Sequence, residues 1–181
     1  MLNNNLILSS PAHPDLRLRT IEKPDIENLR TWKNENKNSF FLNQDITPEQ
    51  QEKWYGNFIN RDNDYMFMVE QNTAKEWKAI GCMGFRNLED EGAVDAYNII
   101  RAQKIEPASF TMSDAFRIML AYAVSLFPAL PVRCKVLSRN PAVMWYQKNE
   151  FSIVTVVDDY NLMELEKDSL KNIDVSIKKT I

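Results

Sequence analysis

The residues able to do chemistry in this chain are few, and their spacing limits what they can do. The stretch IEPASFTMSDAF, residues 105–116, lies between an apolar strand-like run and a strongly patterned helix. A helix start exposes main-chain N–H groups that lack intrahelical partners, and the macrodipole adds partial positive charge, so such a corner suits a phosphate. The amides of Ala108, Ser109, Phe110, Thr111, Met112 and Ser113 are the donors here, and the hydroxyls of Ser109, Thr111 and Ser113 can add hydrogen bonds. The stretch contains no glycine. If the loop requires positive φ, a non-glycine residue there costs roughly 1–2 kcal/mol, which weakens binding without abolishing it. Thr111 and Asp114 alone also read as nothing more than a helix cap.

His13 is the single histidine. It sits in the proline-flanked leader PAHPD, which reads as an irregular arm with a solvated imidazole. With no second histidine, a Ser/His or Cys/His nucleophile pair is not expected, nor is a clustered metal site, and neither a phosphate-binding P-loop nor a nucleophile elbow is present. Catalysis must then rest on carboxylates, tyrosines or backbone groups. Cys82 and Cys134 fall inside buried strand-like runs and are expected as free thiols.

The chain's 181 residues suit one domain with a real core. A net charge of −3, with lysines scattered except near the end, gives no general attraction for nucleic acid or an anionic membrane, so a small-molecule partner is expected. The opening MLNNNLILSS has no basic region and only a short apolar part, which predicts a cytoplasmic protein without a secretion signal or spanning helix.

The elements that must position these residues follow from periodicity. LRLRTI (16–21) alternates as a half-buried strand. KPDIENLRTWKNEN predicts a helix that begins near Pro24 and ends near 36. In ITPEQQEKWYGNFINR, Thr47, Pro48 and Gln50 write a capping box, with Trp54, Tyr55, Phe58 and Ile59 as the apolar stripe. Residues 65–71, 78–88 and 92–102 predict an antiparallel meander. A helix from about 113 carries Phe116, Met119, Leu120, Ala123 and Phe127 on one face and stops at Pro128. A strand (132–137), a short helix (140–149) and two strands around Asp158-Asp159 complete the order. The domain is expected over 16–166, with an N-terminal arm (1–15) and a C-terminal tail (167–181) showing a weak strand pattern at Val175 and Ile177.

That element order, with a phosphate-like loop before the third helix and NPAVMWYQKNEF after it, resembles the GCN5-related N-acetyltransferase (GNAT) family over residues 16 to about 166. NLRTWKNEN and FFLNQDITPEQQEKWYGNFINRDNDYMFMVE are similar to the branch that holds amino-sugar and ribosomal-protein N-terminal acetyltransferases. The resemblance implies an α+β fold: a mixed, mostly antiparallel sheet, helices on both faces, and a cleft for acetyl-coenzyme A where two strands splay apart. It also implies that the pantetheine pairs with the backbone of Ile100, Arg101, Ala102 and Gln103, that the pyrophosphate meets the 108–113 loop, and that Asn140 contacts the cofactor. In the family this loop carries glycines, at positions that correspond to Ser109 and Thr111 here.

The same resemblance makes Tyr146 the general acid. A phenol with a reference pKa of about 10, against about 8.5 for a thiol, stays protonated at neutral pH and can donate to a departing thiolate. Its residue type alone equally supports packing, with Asn140 as a cap ahead of Pro141. The family commonly ends this helix with Gly before Phe, whereas Glu150 precedes Phe151 here, so Asn149 is expected to take the left-handed position. Asp95 and Tyr97 share a strand face, and they, Glu70 or Glu89 can draw a proton from the amine through water. Trp32, Asn34 and Phe41, with Phe40, Gln44 and Trp54, fall where the family forms its acceptor cleft, and aromatic platforms beside amides suit a sugar or nucleotide ring. The function expected is N-acetylation of a small-molecule primary amine, such as a nucleotide-linked amino sugar, by direct transfer in a ternary complex. Its rivals are a protein N-terminal acetyltransferase and a degenerate, non-catalytic binding module on the same fold.

Overall fold

The computed structural model describes residues 5–73, 76–102 and 110–179. Its organising strand is β3 (Asp64–Asn72), buried on both faces. Successive side chains of a strand point to opposite faces, so Phe67 and Val69 enter one apolar cluster while Met66 and Met68 enter another. β3 pairs antiparallel with β2 (His13–Thr20) and β4 (Trp77–Leu88), and β4 with β5 (Ala93–Arg101), which gives the expected meander. β1 (Leu6–Ser10) and β9 (Ser176–Lys179) extend the sheet on one side. On the other side β6 (Val132–Leu137), β7 (Phe151–Val157) and β8 (Tyr160–Leu165) complete the order β7-β8-β6-β5-β4-β3-β2-β1-β9. Among the described residues β5–β6 is the parallel pair and the other neighbours are antiparallel.

Helices cover both faces. α3 (Met112–Leu126) puts Ala115, Phe116, Met119, Leu120 and Ala123 at 0% exposure against one face of the sheet. α4 (Ala142–Lys148) adds Tyr146 to the same cluster. On the opposite face α1 (Ile26–Glu35) and α2 (Pro48–Phe58) contribute Leu29, Trp32 and Phe58 to the second cluster. Thr47 starts α2 as predicted, its Oγ1 accepting from the Gln50 N–H at 3.3 Å while Gln50 Oε1 accepts from the Thr47 N–H at 2.9 Å. Both cysteines are buried and unpaired.

Four local expectations are corrected. The PAHPD leader is not an irregular arm: Pro11 and Ala12 turn the chain between β1 and β2. His13 is not solvated; its Nε2 lies 3.6 Å from Asp114 Oδ1, and its Nδ1 is buried with no hydrogen-bond partner among the described residues. Ile59 leaves the stripe of α2 and is exposed, while Gln51 is buried in its place. Glu150, not Asn149, takes the left-handed backbone after α4, with φ of 64°. Asn149 is buried instead, its Nδ2 donating to Trp145 O at 2.8 Å and Ser113 Oγ at 3.1 Å, and so ties α4 to α3.

One feature of the sheet positions everything that follows. Among the described residues β5 and β6 are paired only at Val94↔Val132 and Asp95↔Arg133, after which the strands part. Just beyond, β5 carries an extra residue against β4: Cys82 faces Ile100 and Gly84 faces Tyr97, with Asn98 at φ of 52° in the bulge. A bulge bends its strand and raises the local twist, and here it keeps β5 on β4 while β6 diverges. Gly81 permits the close approach, since a Cβ there would stand 2.2 Å from the Ile100 carbonyl oxygen.

Candidate active site

The parted strands leave part of β5 without a ladder partner. Val94 N–H donates to Pro131 O on the β6 side at 2.9 Å, whereas Ala102 N–H donates to Ile80 O on the β4 side at 2.9 Å. Alternation across the bulge therefore turns the main-chain groups of Ile100 and Ala102 toward β4 and those of Ile99 and Arg101 toward the gap. Of the stretch named from the sequence, Arg101 has its backbone on the gap; Ile99 was missed because the bulge shifts the alternation by one. Gln103, Ala108 and Ser109 lie outside the described residues.

α3 begins at this corner. Phe110 and Met112 are buried in the core and anchor the entry to the helix. The N–H groups of Met112 and Ser113 have no partner among the described residues and point out of the helix start. Thr111 differs: its N–H donates to Asp114 Oδ2 at 2.6 Å and its hydroxyl to the same oxygen at 2.9 Å. A resident carboxylate thus already occupies part of the positive end of α3. The Ser113 hydroxyl oxygen accepts from Asn149.

Tyr146 lies at the back of the gap. Its ring packs against Phe116, Phe151 and Trp145, with centroids 5.8, 5.6 and 5.2 Å away. Burial pushes its hydroxyl well above the usual phenol range, reinforced by Cys134 on β6 and Asp95 on β5. The hydroxyl has no hydrogen-bond partner among the described residues. Asn140 caps α4, its Oδ1 accepting from Ala142 N–H at 2.9 Å, and its Nδ2 reaches Ser39 O at 3.2 Å.

On β5 before the bulge, Asp95 accepts two hydrogen bonds from Arg86, both on Oδ2, at 3.0 and 2.9 Å. Asp95 Oδ1 has no hydrogen-bond partner among the described residues. Burial nevertheless raises the Asp95 carboxyl above its ordinary range, outweighing Arg86. Tyr97 donates to Asp64 Oδ1 at 2.5 Å with the Arg86 guanidinium 4.8 Å over its ring, and burial pushes its hydroxyl well up. Glu70 is held by Arg17 and Arg19, at 2.6 and 3.0 Å, and Glu89 stands exposed at the end of β4.

A cavity of about 170 Å³ opens between α1, α2 and the bulge. Trp54, Leu42 and Ile100 line it together with Lys33, Gln51 and Asn98. Of the acceptor residues expected from the sequence, Trp32 is buried in the core beneath it. Asn34 instead fixes the α1–α2 connection, its carboxamide exchanging hydrogen bonds with Ile46 N–H and O at 2.8 and 3.1 Å. Phe41 crosses to the far side of the gap, edge-on to Tyr160 at 5.5 Å. Residues 37–46 therefore form a strap held by Asn34 at one end and by Asn140 and Tyr160 beyond the gap. Lys33 went unnoticed because on an amphipathic helix a lysine reads as solvated, and only the fold brings it to Asn98, 65 residues away, at 3.0 Å.

The acetyltransferase (GNAT) domain family matches residues 15–149. No curated protein matches the chain at the sequence level. Among solved structures, apo FdhC, a nucleotide-linked sugar GNAT, superposes with a TM-score of 0.72 at 16% identity, over 94% of each chain. Spermidine N-acetyltransferase from Vibrio cholerae, in complex with CoA and spermine, gives 0.69 at 18% identity, over 87% of this chain and 99% of that one. A probable GNAT-family acetyltransferase from Chromobacterium violaceum gives 0.62 at 12% identity, over 83% and 82%. At these identities the likeness is one of fold. No helix among the described residues is long and apolar enough to cross a membrane.

Proposed function

The chain belongs to the GNAT acetyltransferase family, and from that premise we propose that it transfers an acetyl group from acetyl-coenzyme A to a primary amine of a small molecule, by direct attack in a ternary complex. The observation that carries this reading is the gap between β5 and β6, open beyond Asp95, beside the start of α3 and backed by Tyr146. The residues present fit the co-substrate. An extended amide chain pairs with a free strand edge, here Ile99 and Arg101, and a phosphate accepts from unpaired helix-start amides, here Met112 and Ser113. Acetyl-coenzyme A supplies the activated acyl group. In this reading Tyr146, protonated at neutral pH, gives its proton to the departing thiolate. In the same reading Asp95 Oδ1, left free by Arg86, takes the amine's proton through water.

For the acceptor, an amino sugar, free or nucleotide-linked, is supported by the aromatic and amide walls of the cavity and by the likeness to a nucleotide-linked sugar GNAT. The engagement of the Thr111 N–H by Asp114 favours the rival, a non-catalytic module without cofactor. A thermal melt with acetyl-coenzyme A separates the two. Ligand at a hundred times its Kd stabilises by about 2.7 kcal/mol, a rise of several degrees. A saturable rise supports the transferase; no rise at millimolar cofactor leaves the fold and removes the activity.

A further inference from the structure

Lys33 is a cation built into a wall that gives it no anion. Its ammonium donates to Asn98 Oδ1 at 3.0 Å and lies 5.1 Å over the Phe40 ring, and no carboxylate pairs with it among the described residues. An ammonium has three donors, so two remain for a ligand. Among the described residues the cavity it faces is lined by no Asp or Glu, and its other walls are mainly apolar, with Leu29, Trp54 and Ile100 prominent. Burial lowers the lysine's affinity for its proton, opposed by Cys82, with Arg86 a further like charge. A structural role for Lys33, bracing the bulge through Asn98, accounts for one donor and leaves the other two unexplained.

We propose that Lys33 is the acceptor's anion contact, so that the amine acetylated by this chain carries a carboxylate or phosphate that pairs with the Lys33 ammonium in the cavity between α1, α2 and the β5 bulge. This rests on the transferase reading and narrows it to acceptors that are zwitterionic. The same charge repels a polycation, so a polyamine of the kind bound by the Vibrio cholerae neighbour is a poor acceptor here. The cavity of about 170 Å³ holds a compact anion with a small apolar or sugar body.

The test compares matched acceptors with acetyl-coenzyme A: apolar amino acids against their carboxamides, glucosamine 6-phosphate against glucosamine, and spermidine as the polycation. The two anionic arms tell carboxylate from phosphate. The native chain is expected to prefer the anionic member of at least one pair by about 10- to 100-fold in kcat/KM, the range of a charge-assisted hydrogen bond. Lys33→Gln should bring both members of that pair to the same kcat/KM by raising KM for the anionic one, and Lys33→Arg should keep the preference. Equal use of both members, preference for spermidine, or a preference that survives in Lys33→Gln overturns the proposal. If no pair turns over, the same acceptors are titrated calorimetrically onto the protein with coenzyme A bound, and binding that ignores the anion overturns it equally. The cofactor-induced melting shift tells the two failures apart: a shift without anion preference removes only this inference, and no shift removes the transferase reading beneath it.

Discussion

Tyr97 and Tyr146 stand on opposite faces of the same sheet, near the same gap, and burial drives both hydroxyls well above the usual phenol range. Around Tyr97 the polar groups pair with one another: its hydroxyl with Asp64, Asp64 Oδ2 with Arg61 at 3.2 Å, and Arg86 with both Asp95 Oδ2 and the Tyr97 ring, which leaves Asp95 Oδ1 over. Around Tyr146 the packing is as dense but apolar, and the hydroxyl has no partner among the described residues. A buried polar group that is satisfied is part of the architecture, while one without a partner calls for an explanation. Lys33 stands between the two, with one donor taken by Asn98 and no carboxylate beside it among the described residues.

The contrast breaks first, and most visibly, at the two tyrosines. Tyr146→Phe is expected to lower kcat by about 100-fold or more, as loss of a general acid does, with the acetyl-coenzyme A melting shift retained. Tyr97→Phe should cost about 1 kcal/mol of stability through the lost hydrogen bond and change kcat by less than a few fold. Steady-state rates and melts of both variants check this, and equal effects on kcat erase the distinction. A second, smaller effect sharpens it at the strand itself. Gly81→Ala places a Cβ 2.2 Å from Ile100 O, so β5 must move. Overpacking of this kind costs about 1–3 kcal/mol, and the cofactor-induced shift should shrink with it. Gly56→Ala is the control: nothing lies within 4 Å of its Cβ, and α2 should gain about 0.5–1 kcal/mol.

The smallest expected effect is electrostatic. Lys33 has its folded pKa lowered by burial, so at neutral pH the native state carries a disfavoured charge. Above the folded pKa the unfolded chain binds more protons than the native one, and native stability rises until the ordinary lysine value is reached. Lys33→Met should therefore melt slightly higher than the native chain near neutral pH, and the difference should narrow as pH climbs through the alkaline range. A difference that widens instead shows that Lys33 is stabilised where it stands, as a structural residue would be.

Much of the fold was legible because its signals are local. The stripe of α3, the Thr47 cap and the Asp158-Asp159 turn each depend on residues within a few positions. The leader misled because two prolines argue against a strand. Pro14 is tolerated since β2 pairs with β3 only from Leu16 onward, which leaves no ladder bond for proline to lose there. β9 was faint because its residues are all exposed and carry no alternation of burial. At the site, Tyr146 was named through the family resemblance and Asp95 through the strand face it shares with Tyr97, but the surroundings that bear on any role for them come from distant elements, and no spacing in the sequence records those. Asn34 was named as an acceptor contact, and its carboxamide bonds the Ile46 backbone, a pairing that was not legible because the two lie 12 residues apart.

The strap has a consequence for the order of events. Its hold beside α4 is a single exposed hydrogen bond from the Asn140 carboxamide, with one edge-on ring contact near it, while its hold on α1 is a two-way carboxamide clasp. The weaker fastening is on the side of Tyr146, and Leu42 and Ile46 of the strap form the roof over Lys33. If the proposed acceptor enters under that roof, the looser end is the one that yields, on the side of the helix that carries Tyr146.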